Sequence, residues 1–109
     1  MFIVVVDHFC KADRTQDAIG RIDHNGDQMA SMPGFQFRYR MVGTANPLKI
    51  STVTGWIDAS AYDGWIKRKR GIDATASADP KESPYESATN ATYVVEREHG
   101  AAVHRGSKG

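Results

Sequence analysis

The strongest constraint on the fold lies near the N-terminus, in residues 2–9 (Phe-Ile-Val-Val-Val-Asp-His-Phe). β-branched and aromatic residues dominate this segment, which favours a strand. Because apolar side chains occupy both alternating sets, the strand is predicted to be largely buried on both faces. The alternation separates two sets: Phe2, Val4, Val6 and His8 on one face, and Ile3, Val5, Asp7 and Phe9 on the other. A chain of 109 residues must then cover both faces of one sheet with a single modest core.

The rest of the chain divides into further predicted elements. Apolar residues at helical spacing predict two helices, over residues 15–32 and 59–71. Strands are expected at 35–42, 48–56 and 91–96. Residues 73–91 are expected to form a long loop or to carry a short third helix. The resulting order, β-α-β-β-α-β, is that of the ferredoxin-like α+β fold, which has an antiparallel sheet and both helices on one face.

The second predicted strand carries a clear alternation. Apolar and polar residues take turns along it, which is typical of a half-buried strand. The apolar set is Phe35, Phe37, Tyr39 and Met41, and it alternates with Gln36, Arg38, Arg40 and Val42.

Two helices on one side leave the other sheet face without cover, although that face is also apolar. An apolar sheet face in so short a chain predicts that a second copy of the chain covers it. We therefore expect a homodimer. We also expect residues 1–97 to form a single domain and residues 98–109 to form a flexible tail.

Composition excludes several classes of partner. The 14 Lys and Arg nearly balance the 13 Asp and Glu, giving a formal charge of +1, which argues against nucleic-acid binding. No apolar run reaches about 18 residues and no signal peptide is evident, so neither a membrane partner nor export is expected. The single cysteine, Cys10, favours a reducing cytoplasm. No metal-ligand spacing and no nucleotide-binding motif is present, so we expect no cofactor.

Three segments stand in the order and spacing of a known family. They are the N-terminal strand Met1–Val6, the Met32-Pro33-Gly34-Phe35 junction, and residues 53–65 with their W-x-x-x-x-A-Y-x-x-W pattern. Over about residues 1–97 the chain resembles the antibiotic biosynthesis monooxygenase domain family of small dimeric α/β-barrel proteins. The resemblance implies dimers whose two sheets close into one barrel, with a cleft between the sheet and the helices of each protomer. It also implies oxidation of aromatic polyketides by dioxygen without a cofactor, while a separate branch degrades haem.

Carrying residues over from the quinone-forming branch gives a partial match. That branch lines its cleft with a strand asparagine, a strand tryptophan and a helix tyrosine. Trp56 matches the tryptophan and Tyr62 the tyrosine, but the asparagine position falls on Thr52. A threonine lacks the paired donor and acceptor of an amide, so this departure weakens the expectation of identical chemistry.

The haem-degrading branch is matched less well. Its asparagine position falls on Asp7, and Trp65 matches its helix tryptophan. Its histidine position falls on Thr75, so this segment offers no axial ligand to haem iron.

The function expected from the sequence is therefore a cofactor-independent monooxygenase acting on a small aromatic phenol or quinol. The expected catalytic residues are Asp7, Tyr62 and Trp56, with Asp7 or His24 as the base. The expected substrate-binding residues are Trp65, Thr52, His24 and Phe37.

Alternatives stay open at this point. Both tryptophans also suit core packing, and Asp7 also suits an ion pair with Arg38 or Arg40. His8 is interpreted as a buried structural histidine rather than a catalyst. A dimeric barrel that binds a small molecule without redox chemistry is the main alternative function, and haem degradation is the lesser one.

Overall fold

The structure is a computed structural model that describes residues 1–75 and 83–100. Its elements are β1 (Phe2–Cys10), α1 (Thr15–Met29), β2 (Phe35–Val42), β3 (Lys49–Trp56), α2 (Ala59–Thr75) and β4 (Tyr85–Val94). The four strands form one antiparallel sheet in the order β2-β3-β1-β4. The predicted ferredoxin-like α+β fold is therefore confirmed.

The largest differences from the predicted boundaries concern three elements. Helix α1 ends at Met29 rather than residue 32, and α2 continues through Gly71 to Thr75. A glycine inside a helix costs only about 1 kcal/mol, which neighbouring turns can offset. Strand β4 begins at Tyr85, six residues before the prediction, so part of the predicted 73–91 loop is strand. Of the predicted tail, residues 98–100 have no regular structure and 101–109 lie outside the described residues.

The first six residues of β4 escaped detection because β4 is an edge strand with exposed side chains. Most of its residues are small and polar, so period-two apolar alternation is absent. What holds β4 in place is its antiparallel hydrogen-bond ladder to β1, from Phe2 opposite Val94 to Cys10 opposite Tyr85. Backbone pairing of this kind leaves no signature in side-chain hydropathy.

A register shift in β2 reverses the expected faces of that strand. Phe35 pairs with Trp56 and Phe37 pairs with Gly55, so two steps along β2 match one step along β3. The Phe37 ring lies directly over Gly55, where an added Cβ would clash with the ring. Gly55 is thus required by close approach. Beyond the shift, Arg38 joins the helix side of the sheet, and Tyr39 faces the opposite side.

The helix side of the sheet contains the core. One cluster combines Val4, Trp56 and Trp65, and a second combines Cys10, Ala18, Ile22 and Ile50. Helix α2 begins at a capped turn, since the Asp58 carboxylate accepts the Ala61 N–H at 2.9 Å. This bond lowers the pKa of Asp58. The cap fixes where α2 starts and hence where its inward side chains meet the sheet.

The opposite side of the sheet has no covering element in the described residues. Its apolar side chains are only partly buried in the single chain, and Tyr39 and Tyr93 are 62% and 55% exposed. This side, which we call the open face, carries Ile3, Val5, Phe9, Phe37, Tyr39, Val53 and Tyr93. The expected half-burial of Tyr39 and Met41 is therefore wrong for the isolated chain, because the register shift turns both toward the open face. No helix in the described part of the chain is long and apolar enough to cross a membrane.

Candidate functional site

A cavity of about 210 Å³ lies between the sheet and the two helices. Strands β1, β2, β3 and β4 supply one wall, and α1 and α2 supply the other. An apolar cavity of about 150 Å³ binds benzene, so this one has room for one ring with substituents or for two fused rings. It lies below the range of about 300–1,000 Å³ that larger, drug-sized ligands occupy.

Aromatic side chains form one part of the cavity lining. Trp56 at the end of β3 and Trp65 on α2 are 0% and 1% exposed, and Tyr62 on α2 is half-buried. The Trp56 and Tyr62 rings have centroids 6.2 Å apart. Thr52, on the same strand face as Trp56, is 1% exposed and also lines the cavity. The structure thus brings together four residues predicted from sequence: Trp56, Tyr62, Trp65 and Thr52.

The indole nitrogen of Trp56 is an exception to normal hydrogen bonding. Trp56 Nε1 is fully buried and has no hydrogen-bond partner among the residues that the structure describes. Leaving a buried donor unsatisfied costs about 1–3 kcal/mol. Because the Trp56 ring lines the cavity, an oxygen atom of a bound molecule is a natural acceptor for this N–H.

His8 is the imidazole of the cavity lining. Its Nδ1 lies 3.0 Å from the Ile50 carbonyl oxygen, so in the neutral ring Nδ1–H donates and Nε2 keeps a lone pair. Burial lowers the pKa of His8; the bond to Ile50 opposes this, and the charge of Arg38 adds to it. His8 is consequently neutral near pH 7, with Nε2 available as a base.

Cationic and amide side chains complete the polar part of the lining. Arg38 Nη1 donates to the Met29 thioether sulfur at 2.9 Å, and its side chain runs close to Gly26 of α1. Burial lowers the pKa of Arg38, which nonetheless keeps its charge because guanidinium pKa values are so high. The other cationic and amide side chains of the lining are Asn25, Lys69 and Asn90.

Three predicted site residues lie elsewhere. Asp7 is on the open face, where it accepts the Ser51 hydroxyl at 2.5 Å, and it forms no ion pair with Arg38 or Arg40 among the described contacts. His24 is exposed on α1 and within 3.1 Å of Gln28 Nε2. Phe37 lies on the open face over Gly55. None of the three lines the cavity between the sheet and the helices.

Sequence reasoning missed His8, Arg38 and Asn90 as lining residues. His8 had the right signal, since it shares a strand face with Val4 and Val6, but both faces of β1 are apolar. Arg38 was hidden by the register shift in β2, and Asn90 by the absence of an apolar pattern in β4. The described residues contain no group of three or more His, Cys, Asp or Glu that could hold a metal ion. The Thr75 side chain lies outside the described residues.

Comparison with known proteins gives a clear result for the fold only. No family model and no curated protein matches the sequence. Solved structures match over nearly the whole chain, at low identity. A candidate antibiotic biosynthesis monooxygenase from Deinococcus radiodurans shares 12% identity at a TM-score of 0.75, covering 93% of this chain and 98% of the other.

Two further similar structures come from proteins of known activity. The haem degrader MhuD of Mycobacterium tuberculosis, solved with two haems in its active site, shares 17% identity at a TM-score of 0.72, with coverage of 92% and 100%. A variant of SnoaB, a cofactor-independent oxygenase of Streptomyces nogalater, shares 10% identity at a TM-score of 0.66, with coverage of 89% and 94%.

The chain therefore has a monooxygenase-like α+β fold. The resemblance to antibiotic biosynthesis monooxygenases stated from the sequence is confirmed at the level of the fold.

Proposed function

We propose that this protein is a cofactor-independent monooxygenase that oxidises a small aromatic phenol or quinol to a quinone. The observation that carries the proposal is the buried, unpartnered indole N–H of Trp56 beside a ring-sized aromatic cavity. An acceptor oxygen on a planar substrate satisfies that donor while the ring contacts Trp65 and Tyr62. The fold shared with an oxygenase that needs no cofactor supports the same conclusion.

Binding in the cavity orients the substrate ring and shields it from water. Trp56 and Trp65 exclude water from the ring, and Trp56 Nε1–H with the Tyr62 hydroxyl donates hydrogen bonds to the substrate oxygen. Thr52 adds a hydroxyl on the strand wall. Holding the ring beside dioxygen in a dry pocket removes the entropy cost of a bimolecular encounter.

His8 takes the role of the base in this proposal, replacing Asp7 and His24, which do not line the cavity. Nε2 of His8 removes the phenolic proton, because an electron-rich phenolate reduces dioxygen far more readily than a neutral phenol does. The phenolate gives one electron to dioxygen, and the resulting phenoxyl radical and superoxide combine at a ring carbon. The proton on His8 passes to the peroxide.

The reaction then closes without any external reductant. Loss of the ring C–H proton breaks the O–O bond and releases the distal oxygen as water. One molecule of phenol and one of dioxygen give one quinone and one water, so the substrate supplies all the electrons. No step needs a group beyond the chain, the substrate and oxygen.

Haem degradation is the weaker alternative, although a haem degrader shares the fold. Haem is at least as large as the ligands that need about 300–1,000 Å³, and the cavity measures about 210 Å³. A hemin titration tests this alternative directly. A saturable Soret shift at one haem per chain would favour it over phenol oxidation.

We predict that the full chain consumes oxygen when supplied with 1-naphthol, at one O₂ per 1,4-naphthoquinone formed and without added metal or flavin. Trp56→Phe should slow the reaction by about 10²–10³-fold, the typical cost of removing one donor from a developing oxyanion. Tyr62→Phe should slow it in the same direction. An oxygen electrode and product chromatography measure both.

The matched control is Tyr39→Phe, which removes the same hydroxyl from a side chain that is 62% exposed on the open face. Its rate should equal that of the unmodified chain. Binding of 1-naphthol without oxygen uptake would contradict the proposal and support the non-redox binding protein instead. Unchanged rates in both cavity variants would remove Trp56 and Tyr62 from the mechanism.

We also propose that the open face is covered by a second copy of the chain, giving a cytoplasmic homodimer. This face carries apolar side chains on all four strands and lies opposite both helices. Self-association buries it without a further partner, and the monooxygenase resemblance implies the same sheet-to-sheet contact. We expect about 24 kDa by size exclusion with light scattering.

A charge placed in the middle of the open face tests whether this face is the dimer interface. Val53→Lys should shift the protein to about 12 kDa, because an unpaired buried ammonium group is strongly unfavourable in an interface. Lys67→Glu on the exposed side of α2 is the control and should leave the mass unchanged. A clean 12 kDa species for the unmodified chain at micromolar concentration would overturn the dimer.

A further inference from the structure

The cavity lining carries two cationic side chains. Arg38 and Lys69 both line it, and within the described residues no aspartate or glutamate does. The charged side chains among the described lining residues are therefore both cationic when His8 is neutral. A cavity of this kind attracts anions, since charges act more strongly across a partly dry site than in water.

Arg38 is the more informative of the two cations. Its guanidinium is partly desolvated, yet the hydrogen bond described for it goes to a thioether, which is a weak acceptor. The nearest acidic influence comes from Asp23 of α1. The Asp23 carboxylate is engaged by Arg40 at 2.9 Å, in the groove outside the cavity. Arg38 thus forms no ion pair among the described residues, although it is the kind of side chain that binds carboxylates in a bidentate way.

The polar and aromatic parts of the lining are also arranged for a two-part ligand. Trp56, Tyr62 and Trp65 suit a ring, whereas Arg38 and Lys69 suit an anionic substituent on it. Both cations line the same cavity as the His8 imidazole. A substrate with its phenol at His8 would therefore hold a neighbouring substituent within reach of the cations.

We infer that the substrate is a hydroxylated aromatic carboxylate rather than a neutral phenol, with Arg38 binding its carboxylate. This inference rests on the proposed function for the identity of the ring. It adds the charge of the ligand and a specificity-determining residue. Arginine donates two parallel N–H bonds to a carboxylate, so the contact fixes ring orientation as well as affinity.

The test compares 1-hydroxy-2-naphthoate with 1-naphthol, which share the ring and the hydroxyl and differ by one carboxylate. Dissociation constants are measured by anaerobic titration calorimetry, so that binding is separated from oxidation. We expect the carboxylate to bind at least about 10-fold tighter, and this preference to shrink as salt rises. Arg38→Met should reduce the preference by about 10-fold or more.

Two variants keep the result interpretable. Arg38→Lys retains a charge without the fork and should keep part of the preference, which also shows that the site tolerates substitution. Arg40→Met removes the same charge from the same strand outside the cavity, and it should leave the preference intact. An Arg40→Met effect as large as that of Arg38→Met would mean general electrostatics and would overturn the inference.

The remaining outcomes separate the inference from the proposed function. Oxidation of 1-naphthol with no preference for the carboxylate would overturn the inference and leave the monooxygenase proposal standing. Preferential binding of the carboxylate without oxygen uptake would overturn the monooxygenase proposal and leave the carboxylate preference standing. Failure of both compounds to bind would overturn both.

Discussion

Replacing His8 with glutamine is expected to lower kcat/KM for 1-naphthol oxidation by about 10²–10⁴-fold, the usual contribution of a positioned base. Glutamine keeps an N–H that can donate to the Ile50 carbonyl, which His8 Nδ1 contacts at 3.0 Å. It removes the lone pair of Nε2, so proton abstraction is lost while the local packing is preserved. Oxygen uptake under pseudo-first-order conditions measures the change.

The pH dependence of kcat/KM is a second test of His8 as the base. Burial lowers the pKa of His8 below its ordinary 6.5, against the opposing bond to Ile50. The neutral form is the active one, so kcat/KM should fall only as pH drops below 6.5 through that lowered pKa. His8→Gln should abolish this acid limb. The charged and titratable groups around His8 are Asp7, Arg38, Lys69 and Tyr85, and they stay in place in the variant.

The stability of the protein should follow the same titration. The unfolded chain takes up a proton at His8 near pH 6.5, while the folded chain resists until a lower pH. The contribution of His8 to the free energy of unfolding is therefore present above pH 6.5 and is lost as pH falls through the folded-state pKa. His24→Gln, on the exposed side of α1, is the control for both readouts and should alter neither. A His8→Gln rate equal to that of the unmodified chain would exclude His8 as the base.

Trp65→Ala is expected to lower the free energy of unfolding by about 3–5 kcal/mol, as large-to-small changes of buried aromatic residues do. Trp65 is 1% exposed and joins α2 to Val4 and Trp56 of the sheet. For a domain of this size, each kcal/mol shifts Tm by about 4–8 °C, so a fall of at least about 12 °C should follow. Thermal unfolding by circular dichroism measures it.

The control for this change lies two residues further along the same helix. Lys67 is exposed, so Lys67→Ala should change stability by less than about 0.5 kcal/mol. Added indole should raise the Tm of Trp65→Ala, because it fills the enlarged cavity and binds only the folded state. A Tm loss of only a few degrees would mean that Trp65 is not part of the core that the structure assigns to it.

Trp56 and Trp65 belong both to the buried core and to the cavity lining. From the sequence, core packing and cleft lining were alternatives for Trp56 and Trp65; in the structure both side chains are buried and both line the cavity. This explains why stability and ligand affinity should respond together at these positions. The unsatisfied N–H of Trp56 favours a binding role beside the packing role. Core packing alone gives no reason to bury a hydrogen-bond donor without an acceptor.

Local pattern was enough to predict the element order and the antiparallel fold, because apolar periodicity of two and of 3.6 is a property of neighbouring residues. The family resemblance, rather than periodicity, assigned Trp56, Tyr62 and Trp65 to a cleft. The polar side chains of the cavity depend on contacts between residues that are far apart in the sequence. One register shift between Phe35 and Phe37 moved Arg38 to the cavity side and Phe37 to the open face.

Contacts between distant residues also explain why His8 lines the cavity and Asp7 does not. Adjacent residues of one strand point to opposite faces, and in β1 both faces are apolar, so the local pattern does not show which face lines the cavity. Only the packing of α1 and α2 on one side decided that His8 lines the cavity and that Asp7 bonds to Ser51 on the other. The sequence thus determined the fold and the aromatic groups, and tertiary packing alone determined which polar groups meet them.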